Sequence, residues 1–135
     1  MSGNKLTRTE NLKRILNKSE RMLQSAETSF NAGFLESAAS RAYYSAFHAV
    51  QAILKSVDQT YSKHSTVIAE FQRQFTKTGI FSRQIGKALS KMAKHREIAD
   101  YKYDEELNPD EVKEDIEKAR ELLDAVRQYL KLDKT

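Results

Sequence analysis

An all-α fold is what this sequence predicts, and three observations carry that expectation. One proline and four glycines leave few chain breakers among 135 residues, while Ala, Leu, Lys, Glu, Arg and Gln, all good helix formers, are plentiful. Apolar residues recur at steps of three and four along most of the chain, the period of a helical face. The stretch from Arg41 to Leu54 is apolar, aromatic or small at nearly every position, which is the pattern of a helix in the middle of a bundle. Together these predict one domain over residues 1–135, an antiparallel bundle of four long helices plus one shorter helix.

The first helix is expected from about Thr9 to Phe30. Leu12, Leu16, Leu23, Ala26 and Phe30 share one face, broken only by Ser19 and widened by Ile15 and Met22. Thr7 and Glu10 have capping-box spacing, which allows a slightly earlier start. Gly33 suits the left-handed conformation that closes helices. The short turn then sends the second helix, Phe34 to about Val57, back against the first. Leu35, Ala39, Ala42, Ala46, Val50, Ile53 and Val57 make one of its faces; Tyr43, Phe47 and Leu54 occupy much of the other. A polar line interrupts it: Ser37, Arg41, Ser45 and His48, rejoined by Lys55. Such a line on a central helix has internal partners or a job.

After a polar connection over residues 58–62, Ser62 or Ser65 is placed to cap the third helix, whose seam is Val67, Ile68, Phe71 and Phe75. Thr78 and Gly79 stop it. The fourth helix opens near Ser82 and sets Ile85, Leu89, Met92, Arg96 and Ala99 on one line. Arg96 stands where that line asks for an apolar residue, so it is expected to face the core, a cleft or a partner chain. An acidic loop, residues 102–107, leads to Asn108, Pro109, Asp110 and Glu111, a well-formed helix start. Val112, Ile116, Ala119, Leu123, Val126 and Leu130 continue the fifth helix toward the C-terminus.

No apolar run reaches the ~18–20 residues of a membrane span. Residues 1–5, Met-Ser-Gly-Asn-Lys, hold no hydrophobic signal segment. The absence of cysteine excludes disulfides and thiolate chemistry and suits a cytoplasmic protein. The net charge of +4 is unevenly spread. From Lys63 to Arg96 the charged side chains are basic except Glu70; from Glu97 to Glu117 they are acidic except Lys102 and Lys113. This is read either as a nucleic-acid surface beside an acidic one or as helix faces that pair with each other.

The histidines are His48, His64 and His95, none with a glutamate three residues before it. Carboxylate–histidine metal pairing is therefore missing, and no metal or other cofactor is expected. Nucleophile elbows, phosphate loops and dinucleotide fingerprints are absent as well. Two constellations remain. Arg41 and His48 lie seven apart on the second helix, where an arginine could hold a phosphate while a histidine moves a proton. The bland alternative is an ion-paired Arg41 and a hydrogen-bonded His48 in the core. The other constellation is His95, Arg96, Asp100, Tyr101 and Tyr103, where the basic half meets the acidic half. Guanidinium suits phosphate and tyrosines stack on bases; its bland alternative is Arg96 clamped by Asp100. Tyr43 and Tyr44 are expected in the core.

On Ala38-Ala-Ser-Arg-Ala-Tyr-Tyr-Ser-Ala-Phe-His48, Lys63-His-Ser65, Phe71 and Arg96-Glu-Ile-Ala-Asp-Tyr101, the chain resembles the HEPN domain family. It is most similar to the short prokaryotic members encoded beside minimal nucleotidyltransferases. The resemblance implies a helical homodimer, and for many members metal-independent ribonuclease activity in toxins or defence effectors. Their signature is an arginine and a histidine with four to six residues between them, contributed by both subunits, with a tyrosine two residues beyond in the nucleotidyltransferase-paired toxins. Laid on this chain, Arg96 takes the arginine position, Tyr101 the histidine position and Tyr103 the later tyrosine. The departure is Tyr101, since tyrosine with a pKa of about 10 is a poor acid or base near neutrality. Arg41 and His48 also satisfy the spacing, away from the usual place.

The expectation that the resemblance implies is a homodimeric endoribonuclease that binds RNA phosphate around Arg96, with Tyr101, Asp100 and His95 beside it and Arg41 and His48 as secondary candidates. A cognate nucleotidyltransferase antitoxin would attach AMP to Tyr103 and set negative charge over the arginine. Two alternatives stay open: a non-catalytic module that binds a nucleotide or the nucleotidyltransferase, and a dimeric helical scaffold with a satisfied Arg96.

Overall fold

A computed structural model describes residues 7–132. It is an all-α bundle: α1 (Arg8–Asn31), α2 (Leu35–Ser56), α3 (His64–Phe71), α4 (Arg83–Tyr101) and α5 (Pro109–Leu130). Four helices are long and α3 is short. The expectation about residues 1–5 lies outside the described residues.

The helix ends follow from local chemistry. Thr7 caps α1 by accepting the Glu10 backbone N–H, and Glu10 returns the favour through its carboxylate. Gly33, at φ +88°, closes α1 in the left-handed region and turns the chain into α2. Ser82 caps α4 by accepting the Ile85 N–H. Asn108 caps α5 by accepting two N–H groups, with Pro109 behind it. One expectation is corrected. Lys63 is the N-cap of α3, with no side-chain capping bond, so neither Ser62 nor Ser65 caps it. Beyond Phe71 the helix widens into a π turn, Gln72–Thr76.

α2 is the centre and packs against each of the other four helices. Ala38, Ala39, Ala42, Ala46, Ala49 and Ala52 are fully buried, and their small side chains let the neighbours come close. The closeness shows where the α1 stripe was broken: buried Ser19 donates to the Ser45 carbonyl at 2.6 Å. Val57, expected on the core face, is exposed at the end of α2. The buried apolar side chains form one cluster drawn from all five helices, each large one contributing roughly 1.5–3 kcal/mol. Inside the α1–α5 contact sits a buried carboxylate. Glu20 accepts from Arg127 at 2.7 Å and from both nitrogens of Arg120 at 2.9 and 2.7 Å. A π-turn residue, Gln72, donates to the Gly86 carbonyl at 3.0 Å, where α4 has no side chain to keep it away. Among the described residues no helix is long and apolar enough to cross a membrane.

Candidate functional site

Arg96 does turn inward, as its place on the apolar line of α4 requires. Its side chain is 18% exposed. The guanidinium carbon lies 4.9 Å from the Tyr43 ring centroid and 5.9 Å from those of Tyr44 and Tyr101. Asp100, one turn along α4, is 3.8 Å away, too long for a hydrogen bond. Its Nε is buried and makes no hydrogen bond among the described residues. The positive charge is thus held on aromatic faces, with Nε left without a hydrogen bond among the described residues.

The walls come from α2 and α3. Tyr43 is fully buried, and Tyr44, one residue on, is half-buried. They meet edge to face with centroids 5.2 Å apart. Tyr43 belongs to the core as the sequence suggested, yet its hydroxyl reaches His64 Nδ1 at 3.4 Å. His64, the first residue of α3, packs on the Phe47 ring with centroids 4.1 Å apart and meets the edge of Tyr44 at 5.9 Å. Burial, and then the charge of Arg96, lower the His64 pKa below its ordinary 6.5. Burial also raises the Tyr43 pKa. Sequence reasoning did not single out His64. The signal was present, since Lys63-His-Ser65 is one of the stretches that carry the family resemblance.

The remaining candidates separate. His95 is buried on a different side of α4, its Nδ1 2.6 Å from Asp115 and its Nε2 3.5 Å from Glu111, both on α5. Consecutive helical residues diverge by about 100°, so His95 and Arg96 face different surroundings. His95 is not grouped with Arg96. Burial raises the Asp115 pKa to about 6 against the opposing pull of His95. Arg41 donates to Ser29 Oγ at 3.1 Å. His48 Nδ1 meets Gln51 at 3.0 Å, and burial lowers its pKa. Arg41 and His48 therefore do not act on each other. Both have partners within the fold, as does Ser45; the polar line of α2 is internally satisfied there.

Arg41 still shares a shallow depression of about 270 Å³ with Glu36, Ser37, Ser40 and Asp100. A larger one, about 860 Å³, lies between the start of α2, the end of α4 and the α4–α5 connection. Asp100, Tyr101 and Tyr103 stand on its wall with Glu36, Glu105 and Glu106. Tyr101 is 72% exposed and Tyr103 fully so. Arg96 meets this space through Tyr101 and Asp100. The basic stretch does not point the same way: exposed Lys87, Lys91 and Lys94 lie on the side of α4 away from Arg96. Among the described residues no three His, Asp or Glu are arranged to hold a metal ion.

Comparison with known proteins points one way. The model of the HEPN domain matches residues 12–129. A protein of Thermotoga maritima named "UPF0332 protein" is 40% identical over 96 residues, which covers 71% of this chain and 73% of that protein. Two proteins of Methanocaldococcus jannaschii carry the name "Putative toxin". One is 29% identical over 119 residues, covering 88% of this chain and 81% of its own length. The other is 28% identical over 122 residues, covering 90% of each.

Proposed function

This chain belongs to the HEPN domain family, and from that premise we propose a toxin or defence protein that binds RNA phosphate at Arg96 and cleaves the strand as a homodimer without a metal ion. The observation that carries the reading is the state of Arg96. Its charge is held against three rings, and its buried Nε makes no hydrogen bond among the described residues. Buried polar groups are normally satisfied, and a phosphate oxygen is the acceptor a guanidinium fork suits best. The names of the two Methanocaldococcus relatives support the toxin role. Exposed Tyr101 offers a face on which an unpaired base could stack.

In this reading Arg96 holds the phosphate, Asp100 and Tyr101 shape the approach, and Arg41 lines the adjoining depression. Tyr103 is the residue to which a nucleotidyltransferase partner would attach AMP, its exposed hydroxyl making it reachable. Cleavage of total RNA by the wild type and by Arg96→Ala is the test. Loss of cleavage in the variant is expected, and equal cleavage by both, or none by either, refutes the enzyme.

One observation favours a second reading. The histidine position of the family signature holds Tyr101, and the roughly 860 Å³ depression at its side has room for a nucleotide. A non-catalytic module that binds a nucleotide or a nucleotidyltransferase would use that space. Calorimetric titration with ATP and AMP tests it, and absence of heat with either removes the nucleotide form.

A further inference from the structure

We propose that His64 is the catalytic base of this site, accepting on Nε2 the proton of the attacking ribose 2′-hydroxyl while Arg96 binds the scissile phosphate. The inference rests on the ribonuclease reading above and supplies, from α3, the imidazole that the Arg96–Tyr101 segment lacks.

Three features of the structure point to it. First, His64 is placed and oriented as a base must be. Phe47 stacks on its ring at 4.1 Å, and the Tyr43 hydroxyl lies 3.4 Å from Nδ1. With the Nδ1 proton donated to the Tyr43 oxygen, Nε2 keeps its lone pair. This is the usual logic of an oriented imidazole, with one nitrogen anchored and the other free to work. The residue is only half-buried, so that second nitrogen need not be sealed from a substrate.

Second, one side chain fixes the base relative to the phosphate anchor. Tyr43 holds His64 through its hydroxyl and Arg96 through its ring face, 4.9 Å from the guanidinium carbon. Because Tyr43 is fully buried, neither relation can drift far. Third, the surroundings keep the imidazole neutral. Tyr43, Tyr44 and His48 face it from α2 and Arg96 from α4. Burial and the arginine both work against a proton on His64, leaving it a base near neutral pH. The other two histidines are committed elsewhere, His48 to Gln51 and His95 to Asp115 and Glu111.

The step balances without a metal or a redox partner. The 2′-hydroxyl proton passes to His64 Nε2, and the 2′-oxygen forms a bond to phosphorus. The bond from phosphorus to the 5′-oxygen breaks, and that oxygen takes a proton from water. The imidazolium then returns its proton to the hydroxide so formed. The products are a 2′,3′-cyclic phosphate and a 5′-hydroxyl. The guanidinium of Arg96 meets the charge that grows on the non-bridging oxygens.

The test uses the full-length chain on end-labelled single-stranded RNA, with RNA affinity and helical content measured in parallel. His64→Asn keeps a polar group near the Nδ1 position and removes the base. It is expected to slow cleavage at least ~100-fold while leaving RNA affinity nearly unchanged. The wild-type rate is expected to fall in acid with a midpoint below the ordinary 6.5, where the imidazole takes up a proton. The residual activity of the variant should lack that acid limb. Wild-type-like cleavage by His64→Asn overturns the role of His64 and leaves the ribonuclease reading standing on Arg96. A wild type that cleaves no RNA overturns both. If His64→Asn loses helical content, His64→Gln is measured in its place, and the wild-type profile is read beside it: a wild-type rate with no acid fall anywhere between about pH 4 and 8 overturns the proposal.

Discussion

The ring of Tyr43 on α2 lies against the guanidinium of Arg96 on α4, with 4.9 Å between centroid and central carbon. The cation is drawn to the negative face of the ring, an interaction worth about 1–2 kcal/mol when partly desolvated. That contact ties the most buried tyrosine of the central helix to the one arginine on the apolar line of α4. Each side of the relationship makes a measurable prediction.

Arg96→Ala removes one phosphate contact if the site binds RNA. For single strands the slope of log K against log salt changes by about 0.7 per contact. The slope is expected to become shallower by about that amount, measured by fluorescence anisotropy between low and moderate salt. An unchanged slope and affinity would mean that RNA does not touch Arg96.

The same substitution has a readout that needs no substrate. Burial first, and Arg96 second, hold the His64 pKa below 6.5. Removing the arginine charge leaves burial alone, so the His64 pKa should rise in Arg96→Ala. His48, lowered by burial and by Lys18 and His64 rather than by Arg96, should move little. Proton NMR titration of the histidine Cε1 signals checks both. A His64 titration unmoved by Arg96→Ala would break the proposed electrostatic link.

Asp115 predicts an unusual sign in the pH dependence of stability. Its pKa is raised from 3.8 to about 6 by burial, against the opposing effect of His95. Between those values the folded chain binds this proton more tightly than the unfolded chain does. Its ionisation therefore costs stability as pH rises from about 4 to 6, by at most ~1.4 kcal/mol per pH unit. Below that window the cost is absent; above it, the cost is complete. Asp115→Asn should remove this one contribution, so the stability difference, variant minus wild type, grows across the window. Urea unfolding at pH 4, 5 and 6 measures it, and a difference that shrinks instead reverses the sign.

Much of the fold could be read before the structure because its signals are local. Thr7 with Glu10, Gly33, and Asn108 with Pro109 each set a helix end through neighbours only a few residues away. The inward turn of Arg96 was legible for the same reason, since helical period alone sets it. What the sequence hid depends on contacts between helices. His64 meets Tyr43 across α2 and α3, and His95 meets Asp115 across α4 and α5. Grouping His95 with Arg96 followed chain adjacency, whereas a helix turns adjacent residues apart. The uncapped start of α3 at Lys63 and the π turn behind Phe71 left no local mark either.

Gly86→Ala weighs two opposing effects on α4. Replacing glycine inside a helix gains about 1 kcal/mol from propensity. The new methyl, however, would collide with Gln72 Oε1 and sit 3.0 Å from Thr76 Oγ1 and 3.2 Å from Thr76 Cβ. Moving the Gln72 amide endangers its bonds to Gly86 and Ser90, at 3.0 and 3.1 Å, each worth about 1 kcal/mol. The net change should be a loss of about 1 kcal/mol, seen by urea unfolding. A stabilised variant would show that the π turn yields without cost.

Glu20 draws its two arginines from positions 120 and 127. Holding α1 to α5 there closes a loop of about a hundred residues, at an entropic cost near 4 kcal/mol from (3/2)RT ln n. Such a contact rewards the chain only after the intervening helices have gathered, so it is expected to form on the late side of the folding barrier. Stabilising interactions formed on that side act on escape from the native state more than on arrival at it. The triad is in that sense a latch: it is expected to set how long a finished molecule stays folded, and it closes only once α5 has docked on α1.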